Sequence, residues 1–154
     1  MKILLRDPNS KDAMELTEEL SMVLTSITGA SGKSSFNSSD VMAPRALFVV
    51  AYDDTSNPMG CGAIRPITNS IAEVKRMYSR KNSKGVGTAI LKYLETEAAA
   101  LGYEKLYVET RVINKNAVDF YIRKGYKTRP NYGKYINNKD AICFEKSIKQ
   151  KNFY

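Results

Sequence analysis

"SRKNSKGVGTAILKYLE" spans Ser79–Glu95. Gly85 and Gly87 stand one residue apart, with Arg80, Lys81 and Lys84 before them and an amphipathic run behind. Val86, Ile90, Leu94, Ala98 and Leu101 recur at steps of four, four, four and three, one face of a helix from about Lys84 to Ala100. Gly102 comes next, where a left-handed cap residue belongs. Upstream, "SIAEVKRMY" (70–78) has the composition of a strand. The stretch therefore reads as strand, glycine turn, helix. The first turn of a helix has backbone N–H groups without internal partners, and the helix dipole adds partial positive charge there. Glycine lets an anion approach that backbone with no Cβ in the way. Such a turn is suited to cradling phosphate.

The flanking segments extend the pattern. "KILLR" (2–6) reads as a strand. From Asp12 the period becomes helical, with Met14, Leu16, Leu20, Val23, Leu24 and Ile27 at mostly three- and four-residue steps. "TGASGKSSFNSSD" (28–40) reads as a loop. "RALFVVAYD" (45–53), "GCGAIRPI" (60–67) and the strand at 70–78, joined by short turns, predict an antiparallel meander. Beyond the central helix, "KLYVET" (105–110) is a strand and "NKNAVDFYIRK" (114–124) a helix, with Asn114 as N-cap and Gly125 as stop. "GYKT" (125–128) and "AICFEKS" (141–147) form two last strands around a polar loop. The predicted order is β-α-β-β-β-α-β-α-β-β, a mixed α/β fold in one domain over 1–148, with a polar tail at 149–154.

Composition removes several chemistries. The 154 residues contain no histidine, so Ser-His-Asp triads, Cys-His pairs and histidine zinc sites are excluded. Acid–base work falls to Glu, Asp, Tyr, Lys or water. The two cysteines, Cys61 and Cys143, make neither a disulfide framework nor a structural zinc set, and no metal is expected. They read as small buried hydrophobes in a reducing compartment. No apolar run approaches a membrane span and "MKILLRDP" is not a signal peptide, so the reading is a soluble, cytoplasmic protein. The net charge of +8 suits an anionic partner. No interleaved basic–aromatic motif accompanies it, which argues against nucleic acid. "GASGKSS" (29–35) fails as a P-loop: two residues separate its glycines instead of four, and a helix precedes it.

The strand "AEVKRMYS", the glycine turn and "NKNAVDFYIRKGYK" together resemble the GNAT superfamily of acetyl-CoA-dependent N-acetyltransferases. The resemblance runs over nearly the whole chain and is strongest from Cys61 to Lys146. It implies a central mixed, mainly antiparallel sheet of six or seven strands flanked by helices. Gly85, Val86 and Gly87 match the Gly-x-Gly of the family's pyrophosphate signature. Asn114, Ala117, Tyr121, Gly125 and Tyr126 match its second signature, Asn-x-x-Ala-x-x-x-Tyr-x-x-x-Gly-Phe/Tyr. Asn82 and Ser83 depart from the family's Gln/Arg and Gly, and the turn is shorter than usual. A non-catalytic acyl-CoA-binding protein on the same fold therefore stays open as the alternative.

The resemblance implies transfer of acetyl from acetyl-CoA to a primary amine of a small molecule, amino acid or peptide by direct attack. It gives acetyl-CoA as cosubstrate, no metal, and homodimers as a common family assembly. Backbone at Met77, Tyr78 and Ser79 would pair with the pantetheine arm. Asn82, Lys84, Gly85, Val86, Gly87 and Thr88 would surround the pyrophosphate. Asn114 would hydrogen-bond the cofactor or serve as a plain N-cap. Tyr121 matches the general acid for the departing thiolate. Glu73 lies where several members keep a catalytic glutamate and would take the amine's proton, directly or through water; residues 71, 73, 75 and 77 are expected on one strand face. The acceptor would lie between the early loops and the last hairpin, near Tyr132, Tyr135 and Asp53 or Asp54.

Overall fold

In the computed structural model, which describes residues 1–33, 36–81 and 83–149, alternation along the strands sorts side chains into two cores. The strands are β1 (Lys2–Leu5), β2 (Leu47–Tyr52), β3 (Pro58–Pro66), β4 (Ile71–Ser79), β5 (Lys105–Arg111), β6 (Lys127–Arg129) and β7 (Ala141–Ser147). The helices are α1 (Lys11–Thr28), α2 (Val86–Ala100) and α3 (Lys115–Arg123). Among the described residues the element order is the expected one. Short 3-10 turns occupy Ser38–Val41 and Gly133–Tyr135. The strands form one sheet in the order β1-β2-β3-β4-β5-β7-β6, parallel at β4–β5 and antiparallel elsewhere. The meander is β2–β3–β4. The last strand in sequence, β7, lies between β5 and β6.

One core places Val49, Ala51, Ile64, Val74 and Leu106 against Val86, Ile90 and Leu94 of α2 and Tyr121 of α3. The other sets Phe48, Val50, Cys61 and Ala63 against Ala13 and Leu16 of α1. The central helix lies close to the sheet because β3 is thin beneath it. A Cβ on Gly60 would sit 2.6 Å from the Tyr78 carbonyl and 2.9 Å from Val86; one on Gly62 would sit 2.8 Å from Ile90. Both cysteines are free and buried.

α1 departs from its expected apolar stripe. Leu16 and Leu20 are buried, but the other inward positions are Ala13 and Ser21, while Met14, Met22, Val23 and Ile27 face outward. The cause is Arg76, whose Nη2 donates to the Thr17 carbonyl (2.8 Å) and to Ser21 Oγ (2.6 Å). A buried guanidinium needs oxygen partners, so the helix turns its small polar positions to the sheet.

Arg76 also marks a β-bulge. Cys61 pairs with Tyr78 and Ala63 with Lys75, so β4 advances three residues where β3 advances two. Arg76 itself has φ 53°, left-handed backbone rare outside glycine. The extra residue reverses which way the rest of the strand faces. Glu73 and Lys75 precede the bulge on the side of the last hairpin, whereas Met77 packs on the α2 core. The expected common face for 71, 73, 75 and 77 therefore breaks at Met77, because a bulge reverses alternation.

Candidate active site

The parallel ladder between β4 and β5 ends at Glu73 opposite Tyr107, and beyond it the strands part. The opening holds a cleft of about 180 Å³. Val74–Met77 form one wall and Val108–Arg111 the other; Leu20 and Leu24 of α1 close one end, Asn114, Ala117 and Tyr121 the other. Past Glu73, β4 thus has an edge that β5 does not cover, and the backbone at Met77, Tyr78 and Ser79 runs along it toward α2. The Tyr78 side chain faces α1, its hydroxyl donating to Glu19 (3.0 Å), so its part at this edge is main-chain.

At the head of α2, Gly85 is left-handed with φ 79° and open space where a Cβ would stand. A Cβ on Gly87 would meet Phe120 and Ser79 at ordinary contact distances, 3.6–3.7 Å. Packing inside the protein therefore does not require Gly87, Gly85 is called for by its left-handed backbone, and neither presents a side chain at the head of α2. The N–H of Val86 bonds the Ser83 carbonyl, while those of Gly85, Gly87 and Thr88 find no acceptor among the described residues. Lys84 and Thr88 are exposed beside them. Arg80 does not add its charge here: it turns to α1, bonding Glu19 and Glu15. Asn82 lies outside the described residues.

Tyr121 is 5% exposed, with Phe120 and Tyr126 edge-on to its ring. Burial pushes its phenol well above the ordinary range, and its hydroxyl has no hydrogen-bond partner among the described residues. Asn114 caps α3, Oδ1 accepting from the Ala117 N–H (3.4 Å), and also lines the cleft.

Across the sheet lies a charged, aromatic chamber. Glu73 is 1% exposed and both its oxygens are taken: Arg65 Nε donates to Oε1 (2.8 Å) and the Tyr132 hydroxyl to Oε2. Arg65 also pairs with Asp40 (2.6 Å). Lys75 Nζ donates to the Tyr135 hydroxyl (3.1 Å), and burial lowers its pKa to about 8. Tyr132 packs on Tyr107, which carries the Arg129 guanidinium 4.1 Å above its ring. Glu109 lines the cleft beside them, and burial raises its pKa. Among the described residues no three His, Cys, Asp or Glu side chains are grouped to hold a metal, and no helix is long and apolar enough to cross a membrane.

The family model for the acetyltransferase (GNAT) family matches residues 15–126. The chain belongs to the GNAT acetyltransferase family. It is an acyltransferase. An IAA acetyltransferase of Azospirillum brasilense is 29% identical over 147 residues, 93% of this chain and 95% of that protein. A solved structure from Klebsiella pneumoniae superposes with a TM-score of 0.80 at 21% identity, covering 96% and 97% of the two chains. A GNAT acetyltransferase of Elizabethkingia anophelis, solved with acetyl-CoA bound, superposes with a TM-score of 0.68 at 15% identity, covering 95% and 97%.

Within this GNAT fold the positions expected from the sequence divide. Met77, Asn114 and Tyr121 meet at one cleft, and the Gly85–Thr88 turn stands at the end of its β4 wall. Glu73, Tyr132 and Tyr135 meet in the adjoining chamber. Asp53 does not: it closes the turn at 53–57 by accepting from Thr55 and Asn57 N–H, and neither it nor Asp54 lines the cleft. Arg65 and Glu109 went unread. The alternation Leu106–Tyr107–Val108–Glu109 puts Glu109 on the polar face of its strand, but only the parting of β4 and β5 makes that face a cleft.

Proposed function

We propose that this enzyme transfers an acetyl group from acetyl-CoA to a primary amine of a small molecule, amino acid or peptide by direct attack. The observation that supports this most is the parted β4–β5 pair, with helix N–H groups that find no acceptor among the described residues at one end and Tyr121 on its wall. N–H groups of Gly85, Gly87 and Thr88, with Lys84 nearby, hold the pyrophosphate of CoA, and Val86 anchors that turn in the core. The β4 edge at Met77–Ser79 pairs with the pantetheine arm as an added strand would. Asn114 orients the start of α3 and faces the same ligand.

The amine then attacks the thioester carbon, the C–S bond breaks, and Tyr121 protonates the sulfur. A phenol kept neutral by burial retains its proton until the thiolate appears. Glu73, with both oxygens occupied, acts from the chamber side: its charge favours a cationic amine, and proton exchange with it runs through water.

Acetyl-CoA is expected to raise the melting temperature, since a ligand of the folded state stabilises it by mass action. CoA should be released with some member of a primary-amine panel. Tyr121→Phe is expected to lower kcat by about 10²–10⁴-fold while the melting shift with acetyl-CoA persists. Unchanged turnover would remove the acid role. A melting shift without transfer to any amine would leave an acyl-CoA-binding protein instead.

A further inference from the structure

Arg65, Arg76 and Arg80 all turn inward, and they are compensated differently. Arg65 pairs with Glu73 and Asp40, and Arg80 with Glu15 and Glu19. Arg76 is the most buried of the three, yet among the described residues no carboxylate lies within ion-pair distance of it. Its partners are neutral. Nη2 donates to the Thr17 carbonyl and to Ser21 Oγ, Nη1 reaches only the Ser31 carbonyl at 3.5 Å, and Nε has no partner among the described residues. Glu18, whose charge it feels from α1, is paired with Lys33 (3.1 Å). A buried cation without a counter-charge is costly, and in a native structure it asks for a reason.

Its place supplies one. Arg76 lines the cleft at the end closed by Leu20 and Leu24, opposite Asn114 and Tyr121. Gly32 stands beside Nη1, where a Cβ would lie 3.4 Å away, so no side chain from that position covers the guanidinium. The other groups at this end include the apolar side chains of Leu20, Leu24 and Ala30, which lower the local dielectric and strengthen any charge that meets Arg76.

Resting on the acetyltransferase reading above, we propose that the acceptor is an amine that also carries a carboxylate, as an amino acid does, and that Arg76 receives that carboxylate. The amine then lies toward Tyr121 and the thioester, and the carboxylate toward α1. Nη1, held by one long bond, exchanges the Ser31 carbonyl for a charge-assisted one. The arriving anion supplies the counter-charge that the fold withholds. With Nη2 already committed to Thr17 and Ser21, few donors remain, which suits a carboxylate better than a phosphate group. A polyamine would bring further positive charge to a bare guanidinium in a chain of net charge +8, and is disfavoured.

The test compares amino acids of neutral side chain with their carboxamides, which keep the amine and lose the anion. Transfer from acetyl-CoA is followed by mass spectrometry with wild type and Ser21→Asp. Ser21 Oγ is 2.6 Å from Arg76 Nη2, so the carboxylate of Ser21→Asp satisfies the guanidinium from within and leaves Arg76 in place. Wild type should use the acids with a kcat/KM about 10-fold or more above that for the amides, the difference lying mainly in KM. Ser21→Asp should lose that preference, keep the melting shift with acetyl-CoA, and acetylate the amides within a few-fold of wild type. Amides used as well as acids by wild type, or a preference that survives in Ser21→Asp, would overturn the proposal. A wild type that binds acetyl-CoA but acetylates no member of the panel would count against the acetyltransferase reading itself. Independently of transfer, a mixture of N-acetyl amino acids added with CoA should shift the ¹⁵N resonance of Arg76 Nε, and the matching N-acetyl amides should not. Equal shifts, or none, would overturn the assignment of the carboxylate to Arg76.

Discussion

On the α2 side, the middle of the sheet presents Ala72, Val74 and Met77 of β4 to a dry layer, with two glycines of β3 letting the helix settle close. On the other side the same strand presents Glu73, Lys75 and Arg76, each 9% exposed or less and each charged in its ordinary state. The first surface is stabilised by apolar burial and close packing. The second carries groups that are costly to bury and are offset by hydrogen bonds with Arg65, Tyr132, Tyr135, Ser21 and the Thr17 carbonyl, with Arg76 Nε left without a partner among the described residues. The sheet separates a surface of apolar packing from one of buried ionisable groups. The bulge at Arg76 is where one strand passes between these tasks.

Substitutions on each side should therefore fail differently. Gly60→Ala drives a Cβ onto the Tyr78 carbonyl, which is backbone and cannot swing away. It is expected to cost about 1–3 kcal/mol in denaturant unfolding, or roughly 2–4 °C of Tm per kcal/mol. An unchanged Tm would break the picture of a close-packed layer. Lys75→Met tests the charged side. In the fold Lys75 gives up its proton near pH 8, while unfolded it keeps it to the ordinary 10.5. Between those values the unfolded chain binds more protons, so stability rises with pH across the window. Lys75→Met should flatten that rise by on the order of 2 kcal/mol, read from unfolding at several pH values. A slope identical to wild type would show that Lys75 is not held neutral. Smallest of all, Met22→Lys on the outer face of α1 should change stability by less than about 0.5 kcal/mol. A larger loss would mean that the helix is covered there by something else.

The dry side was the legible one. α2 announces itself because Val86, Ile90 and Leu94 keep a strict helical step and a glycine turn precedes them; the match at Asn114, Ala117 and Tyr121 likewise marks α3, which the structure sets against the cleft. α1 misled because its longest apolar residues, Met14, Val23 and Ile27, are not its buried ones. Its orientation is dictated by a guanidinium from a strand some sixty positions away in sequence, which no local periodicity records. The bulge was invisible for a related reason: no glycine marks it, and Arg76 holds a left-handed backbone through its partners on α1. Glu109 needed both the parting of two strands and the crossing of β7 before its enclosure made sense.

That crossing has a consequence for the order of assembly. β6 is an edge strand whose one neighbour among the described residues is β7, and β7 is synthesised after both strands it joins. Until Ala141–Ser147 lies against β5, β6 has no strand to join, and the segment between them, which carries Tyr132 and Tyr135, has nothing to fix it over Glu73. The meander, α1 and the glycine turn depend on contacts made earlier along the chain. A nascent chain can thus hold its glycine turn at the head of α2 while still lacking the aromatic wall over Glu73.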